Sequence, residues 1–221
     1  FPSGVHDTWI RTAHSPFTAD SYGIAERRRA PSDPDVGDCQ QNGGVTDVLE
    51  RFSAATADWF RGAFAAPTTA QAGAWDAISH GRHALVVAPT GSGKTLSAFL
   101  WAIDRVFREK TDDERTSVLY VSPLKALGVD VERNLRSPLI GISQAARRLG
   151  VDPPAVTVGV RSGDTPTADR RRLVSHPPDI LITTPESLYL MLTSRAAETL
   201  QHVHTVIIDE VHAVAATKRG A

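Results

Sequence analysis

The stretch Ala84-Leu-Val-Val-Ala-Pro-Thr-Gly-Ser-Gly-Lys-Thr95, followed by Leu96-Ser-Ala-Phe-Leu-Trp101, reads as a buried strand, a glycine-containing loop and a helix. That order predicts a phosphate-binding loop. Glycines let the backbone N–H groups curl round a phosphate chain, Lys94 reaches the β- and γ-phosphates, and the Thr95 hydroxyl ligates Mg²⁺. The helix starting near Gly93 adds its positive dipole end. The candidate nucleotide-binding residues are therefore Ala88, Pro89, Thr90, Gly91, Ser92, Gly93, Lys94 and Thr95, with Ala88 standing where the strict pattern has glycine. The bland alternative is a glycine-rich turn with a solvated lysine.

A second motif argues against that alternative. In Thr205-Val-Ile-Ile-Asp-Glu-Val-His212 an apolar run suited to a buried parallel strand stops where two carboxylates begin. Asp209 at the strand's carboxyl end is placed to hold the Mg²⁺ that Thr95 touches, and Glu210 to orient and deprotonate an attacking water. Lys94, Asp209 and Glu210 form the candidate catalytic set, and Thr95 and Asp209 the metal pair.

Composition bounds these readings. Apolar residues make up 41% of the 221 and charged residues 22%, enough for one core of ordinary size. The single cysteine, Cys39, excludes an internal disulfide. No stretch approaches the roughly 18 consecutive apolar residues of a membrane span, so no membrane association and a cytoplasmic location are expected. With a formal net charge of -1, any nucleic-acid contact must come from local sites.

The chain opens on Phe1 and its only methionine is Met191, which reads as a fragment or processed product. Residues 1–44 show neither helical nor alternating periodicity and are expected to be a disordered leader, with Arg27, Arg28 and Arg29 a solvated cluster or a nucleic-acid contact. Residues 45–221 form the second region. Thr46 is expected to cap a helix with Leu49, Phe52, Trp59 and Phe60 on one side. Thr68-x-x-Gln71 reads as a capping box for a helix ending at Gly81. Strands are expected at 118–121, 156–158, 180–183 and 206–208, with helices between, giving an open α/β sheet whose ligands gather at the strands' carboxyl ends.

Two of those ends pair a capping residue with proline, Ser122-Pro123 and Thr184-Pro185, and so present free backbone N–H groups at the edge that carries the phosphate loop. Such an edge receives anions, with Lys125 and Arg161-Ser-Gly163 extending the track. Ordinary helix capping at surface loops is the alternative.

Taken together, APTGSGKT at 88–95 and DEVH at 209–212 resemble the first motor domain of superfamily 2 helicases of the DExH class. SPLKALGVD at 122–130, RSGDTP at 161–166, TTPESLYLML at 183–192 and VHAVAATKRGA at 211–221 narrow the resemblance to the large helicase-related (Lhr) family, over about residues 60–221. The resemblance implies a RecA-like P-loop NTPase domain with a mostly parallel sheet, truncated at its C-terminal end. It implies ATP and Mg²⁺ as cofactors and single-stranded DNA, or RNA, as partner. It gives Gln71 the role of reading adenine, with the capping box as the physical alternative, and places Pro123, Lys125, Arg161, Gly163, Thr184, Pro185 and Glu186 at the family's nucleic-acid motifs.

The family's Ser-Ala-Thr motif and second motor domain, with its arginine finger, have no counterpart in these 221 residues, so the chain by itself is expected to bind nucleotide rather than turn it over. By the same resemblance, the strand leading to Ser-Ala-Thr lies between the two motif strands. Residues 84–88 and 205–209 are then expected to stand one strand apart, roughly 9 to 10 Å, with an open gap between them. The alternatives are an RNA-directed DExH helicase and a non-catalytic nucleotide-binding fragment of an interrupted gene.

Overall fold

The computed structural model describes residues 5–12, 47–89, 93–111, 115–123 and 125–215. Six strands form one sheet: β1 (Val5–Thr12), β2 (Ala84–Pro89), β3 (Val118–Val121), β4 (Val158–Arg161), β5 (Ile180–Thr183) and β6 (Thr205–Asp209), in the order β2-β1-β6-β3-β5-β4. The helices are α1 (Ala54–Ala63), α2 (Thr69–Ser79), α3 (Lys94–Glu109), α4 (Lys125–Arg148), α5 (Thr167–Ser175), α6 (Pro185–Leu192) and α7 (Val211–Ala215). Strands β6, β3, β5 and β4 pair in parallel through the intervening helices, as the alternation of short apolar runs and helical segments predicts. β3 and β5 are buried throughout, by helices on both faces of the sheet.

The N-terminal segment departs from expectation. Val5–Thr12, inside the stretch read as a disordered leader, is strand β1. It runs antiparallel to β2, with Val5 opposite Pro89 and Ile10 opposite Ala84, and antiparallel to β6, with Thr8 opposite Asp209 and Thr12 opposite Thr205. Val5, Thr8, Trp9, Ile10 and Thr12 are β-branched or aromatic types that suit a pleated strand, and two open ladders await them. Hence β2 and β6 are not neighbours, as expected, yet no gap lies between them: each completes its backbone hydrogen bonds on β1. The remainder of the leader, with Arg27–Arg29, lies outside the described residues.

β2 also differs from a strand buried on both faces. It sits at the sheet edge, alternating Ala84, Val86 and Ala88 inward with Leu85 and Val87, which are 59% and 55% exposed. β4 begins two residues later than expected. The Thr157 amide and hydroxyl both donate to Asp179 Oδ2, at 2.7 and 2.8 Å, so the ladder starts only at Val158.

The helix expected from Thr46 is two elements, and Thr46 itself is not described. A 3-10 turn, Val48–Arg51, is capped by Asp47, and α1 by Ser53. The break occurs where the Ser53 amide donates to Asp104 Oδ1 at 3.0 Å, a fully buried carboxylate on α3 that local spacing could not reveal. Phe52 and Phe60 still share a core, packing edge-on against Trp75 at 5.0 and 5.4 Å. Trp75 is fully buried and its indole N–H donates to the Ser97 carbonyl at 2.8 Å, which clamps α2 to α3. On the outer side α1 lies against α4, where a Cβ on Gly141 would come within 2.1 Å of the Trp59 ring.

Ile10 is fully buried in the main core, so β1 is docked by side-chain packing as well as by its ladders. Ile10→Asp is expected to release it. Hydrogen exchange should then accelerate at the β2 amides and change little at β3 and β5; uniform acceleration across the sheet would show that β1 has no special hold on β2.

Candidate nucleotide and nucleic-acid site

The carboxyl ends of β2 and β6 point the same way, because both run antiparallel to β1. β2 delivers the chain to the phosphate loop, of which Thr90, Gly91 and Ser92 lie outside the described residues. The loop closes on Gly93 in the left-handed region at φ 79, and a Cβ there would meet Gln71 Nε2 at 2.5 Å, so both conformation and space require glycine. Gly93 supplies no side-chain cap to the first turn of α3.

Lys94 is 8% exposed, and its ammonium donates to the carbonyls of Ala88 at 2.6 Å and Pro89 at 2.8 Å. These bonds hold the ammonium against the carbonyls at the end of β2. Thr95, next along the helix, is exposed.

Gln71 takes the capping-box geometry. The Thr68 amide donates to Gln71 Oε1 at 2.9 Å, the Gln71 amide to Thr68 Oγ1 at 3.3 Å, and Gln71 Nε2 to the Gly93 carbonyl at 3.3 Å. The carboxamide is thus 4% exposed and tied to the phosphate loop itself. In this arrangement Oε1 and Nε2 each make one bond within the protein, and a carboxamide retains a second lone pair and a second N–H for another partner.

On the acidic side, Asp209 ends β6 and both of its oxygens are engaged. Oδ2 accepts the Tyr120 hydroxyl at 2.5 Å and Oδ1 accepts the Glu210 amide at 3.1 Å. Burial, then the charges of Asp209 and Glu210, push the Tyr120 hydroxyl far above the ordinary tyrosine range, against a hydrogen bond from Ser122, so it remains a donor. Glu210 has φ 50, a left-handed conformation that costs a non-glycine residue roughly 1 kcal/mol. His212 Nε2 lies 3.5 Å from Glu210 Oε2.

Mg²⁺ suits this donor set. A threonine hydroxyl and a carboxylate are hard oxygen ligands. Among the described residues no cluster of three His, Cys, Asp or Glu side chains could cage a metal alone, and Mg²⁺ ordinarily keeps waters and phosphate oxygens in its shell. Tyr120 was invisible to motif reading; its role comes from strand register and not from sequence spacing.

The same sheet edge gathers the candidate nucleic-acid residues. Thr184 caps α6, its hydroxyl accepting the Ser187 amide at 3.3 Å, with Pro185 and Glu186 in the first turn. Ser122 is buried, its amide donating to the Thr183 carbonyl at 3.0 Å; Pro123 follows, and α4 begins with Lys125, whose side chain lies outside the described residues. Arg161 ends β4 and is 8% exposed, with Nε and Nη1 lacking a hydrogen-bond partner among the described residues. Burial, then the positive charge of Arg170, pull its pKa down. Arg170 Nη2 in turn donates to the Gly163 carbonyl at 2.6 Å. A groove beside β4 and α5, lined by Thr157, Gly159, Ser162, Thr165, Arg172 and Asp179, lies apart from the nucleotide residues.

The DEAD/DEAH box helicase family model matches residues 68–221. The Lhr helicase/probable uracil glycosylase of Mycolicibacterium smegmatis is 68% identical over 176 residues, covering 79% of this chain and 12% of that protein. The Lhr helicase/uracil glycosylase of Escherichia coli is 59% identical over 177 residues, covering 77% and 12%. The chain thus spans about an eighth of the length of these relatives. Among solved structures, Mycobacterium smegmatis helicase Lhr bound to ssDNA and AMP-PNP aligns with a TM-score of 0.73 at 66% identity, over 79% of this chain and 22% of that one. The DUF1998 helicase MrfA bound to DNA and AMPPNP, at 21% identity and a TM-score of 0.54 over 69% of this chain and 20% of that one, shares the fold.

Arg161 yields a test. Among the described residues its buried Nε and Nη1 have no hydrogen-bond partner, which costs stability, so Arg161→Met is expected to leave the protein equally stable or more stable by about 1 kcal/mol in urea titration. A loss of about 2 kcal/mol or more would mean the guanidinium is satisfied in the folded state.

Proposed function

The chain belongs to the DEAD/DEAH box helicase family, and we propose that it forms the ATP-binding part of an Lhr-type, ATP-driven motor that moves along single-stranded DNA. The observation that carries this reading is the placement of Lys94 and Thr95 at the end of β2 and of Asp209 and Glu210 at the end of β6, on one sheet edge with β1 between them. The Mycobacterium smegmatis Lhr structure, with AMP-PNP and ssDNA together, supports carrying both ligands over.

In this reading Lys94 exchanges the Ala88 and Pro89 carbonyls for the β- and γ-phosphates, while the bare first turn of α3 donates N–H groups to the same phosphates. Gln71 holds Gly93 in register and reads adenine with its second lone pair and second N–H. Mg²⁺, held by Thr95 and Asp209, supplies neutralisation of charge on the phosphate oxygens. Glu210 accepts the proton of the attacking water. The strand track runs along the amino ends of α4 and α6, through Pro123, Lys125, Thr184, Pro185 and Glu186, with Arg161 and Gly163 beyond them.

Lys125 and Arg161 supply the cations, and a backbone phosphate would give Arg161 Nε and Nη1 the partner they lack among the described residues. Phosphate contacts track a strand without reading bases; RNA is the alternative strand, decided by contacts to the 2′-OH. Among the described residues no helix is long and apolar enough to cross a membrane, and a nucleic-acid motor implies a cytoplasmic location.

Two substitutions test the reading. Lys94→Ala should weaken ATP binding by about tenfold or more, the loss of a charge-assisted hydrogen bond; unchanged affinity would sink the assignment. Glu210→Gln, placed in a protein that carries both motor domains, should keep Mg·ATP bound while turnover nearly disappears. Turnover near wild type would put the base elsewhere.

A further inference from the structure

Tyr120 lies at the middle of the sheet, 1% exposed, opposite Ile207 in the parallel ladder of β3 with β6. Its side chain therefore shares a face with Ile207 and, two residues on, with Asp209. The hydroxyl donates to Asp209 Oδ2 at 2.5 Å. The ring packs against Phe99 of α3, with centroids 4.9 Å apart and planes tilted by 33°. Phe99 sits in the second turn of the helix that begins with Lys94 and Thr95. One side chain thus touches the helix carrying the phosphate-loop residues and the carboxylate at the end of β6, whose strands are separated in the sheet by β1.

A phenylalanine would fill the same core volume and keep the Phe99 contact. What the hydroxyl adds is polar: it donates to one oxygen of Asp209 while the Glu210 amide donates to the other, two bonds that favour this orientation of the carboxylate. Outer partners of this kind orient metal ligands.

We propose that Tyr120 is a positioning residue, fixing the rotamer of Asp209 so that its remaining lone pairs, with the Thr95 hydroxyl, are set for the Mg²⁺ that accompanies the nucleotide. The inference rests on the reading of Asp209 as the metal-side acid, and its test separates the two.

Binding of a fluorescent ATP analogue to the 221-residue chain is measured as Mg²⁺ is varied, and again in EDTA. Tyr120→Phe should raise the Mg²⁺ concentration at half-saturation by about tenfold, while affinity in EDTA stays within about twofold. A lost packing contact would move both together, and an unmoved Mg²⁺ midpoint would overturn the proposal. Asp209→Asn should also raise the midpoint, and adding Tyr120→Phe to it should change little more; additive effects would count against the coupling. If Asp209→Asn leaves the midpoint unchanged, the assignment of Asp209 is what fails; if it moves the midpoint and Tyr120→Phe does not, the role of Tyr120 alone fails. A measurement on the unmutated chain stands beside these. With 3-fluorotyrosine at the three tyrosines, the ¹⁹F resonance of Tyr120 should shift when Mg²⁺ is added to the nucleotide-bound protein, and no shift would overturn the proposal.

Discussion

Among the described residues, the strand that feeds the phosphate loop reaches the rest of the sheet through β1 alone. β2 has its one ladder on β1, and β1 has its other ladder on β6. The register of an eight-residue segment near the start of the sequence therefore sets how the lysine and threonine of one motif stand relative to the aspartate and glutamate of the other. A slip of one residue would turn Ile10 out of the core, so burial of that single side chain holds the register. Antiparallel direction is no obstacle in this position, because backbone groups on both neighbours need partners more than they need a particular strand polarity.

Helix packing then carries the same geometry away from the sheet. Trp75 locks α2 onto α3 through its hydrogen bond to Ser97, and one turn earlier on α2, Gln71 reaches Gly93. The capping box, the aromatic cluster with Phe52 and Phe60, and the start of the phosphate helix thus form one connected unit. Asp104, buried on α3, extends it to Ser53 and the start of α1. In the other half Glu210 adopts a left-handed backbone beside Asp209. A conformation of that cost persists only where the surroundings over-determine it, and here a paired strand precedes it and a helix follows.

What the sequence disclosed was whatever local spacing encodes. The loop from Ala88 to Thr95, the DEVH run, the capping box at Thr68 and Gln71, and the apolar strands β3, β5 and β6 each have a signature within a dozen residues, and each lies where spacing placed it apart from the undescribed loop centre. What depends on distant partners stayed hidden. β1 has the composition of a strand but no hairpin signal beside it, and its two partners begin more than 70 residues away. The break between Phe52 and α1 follows from a carboxylate on α3, and the late start of β4 from Asp179. Leu85 and Val87 are apolar, so their alternation with Val86 gave no hint that β2 would be an edge with one face outward.

The direction of β1 has a practical consequence. Because Val5 is level with Pro89 and Thr12 with Thr205, the chain enters the sheet at the nucleotide side and leaves at the opposite side. A dye carried at Val5 would stand level with Pro89, where β2 runs into the phosphate loop, and report on occupancy there. The same dye at Thr12, level with Thr205, would stand a strand's length away and serve as its control.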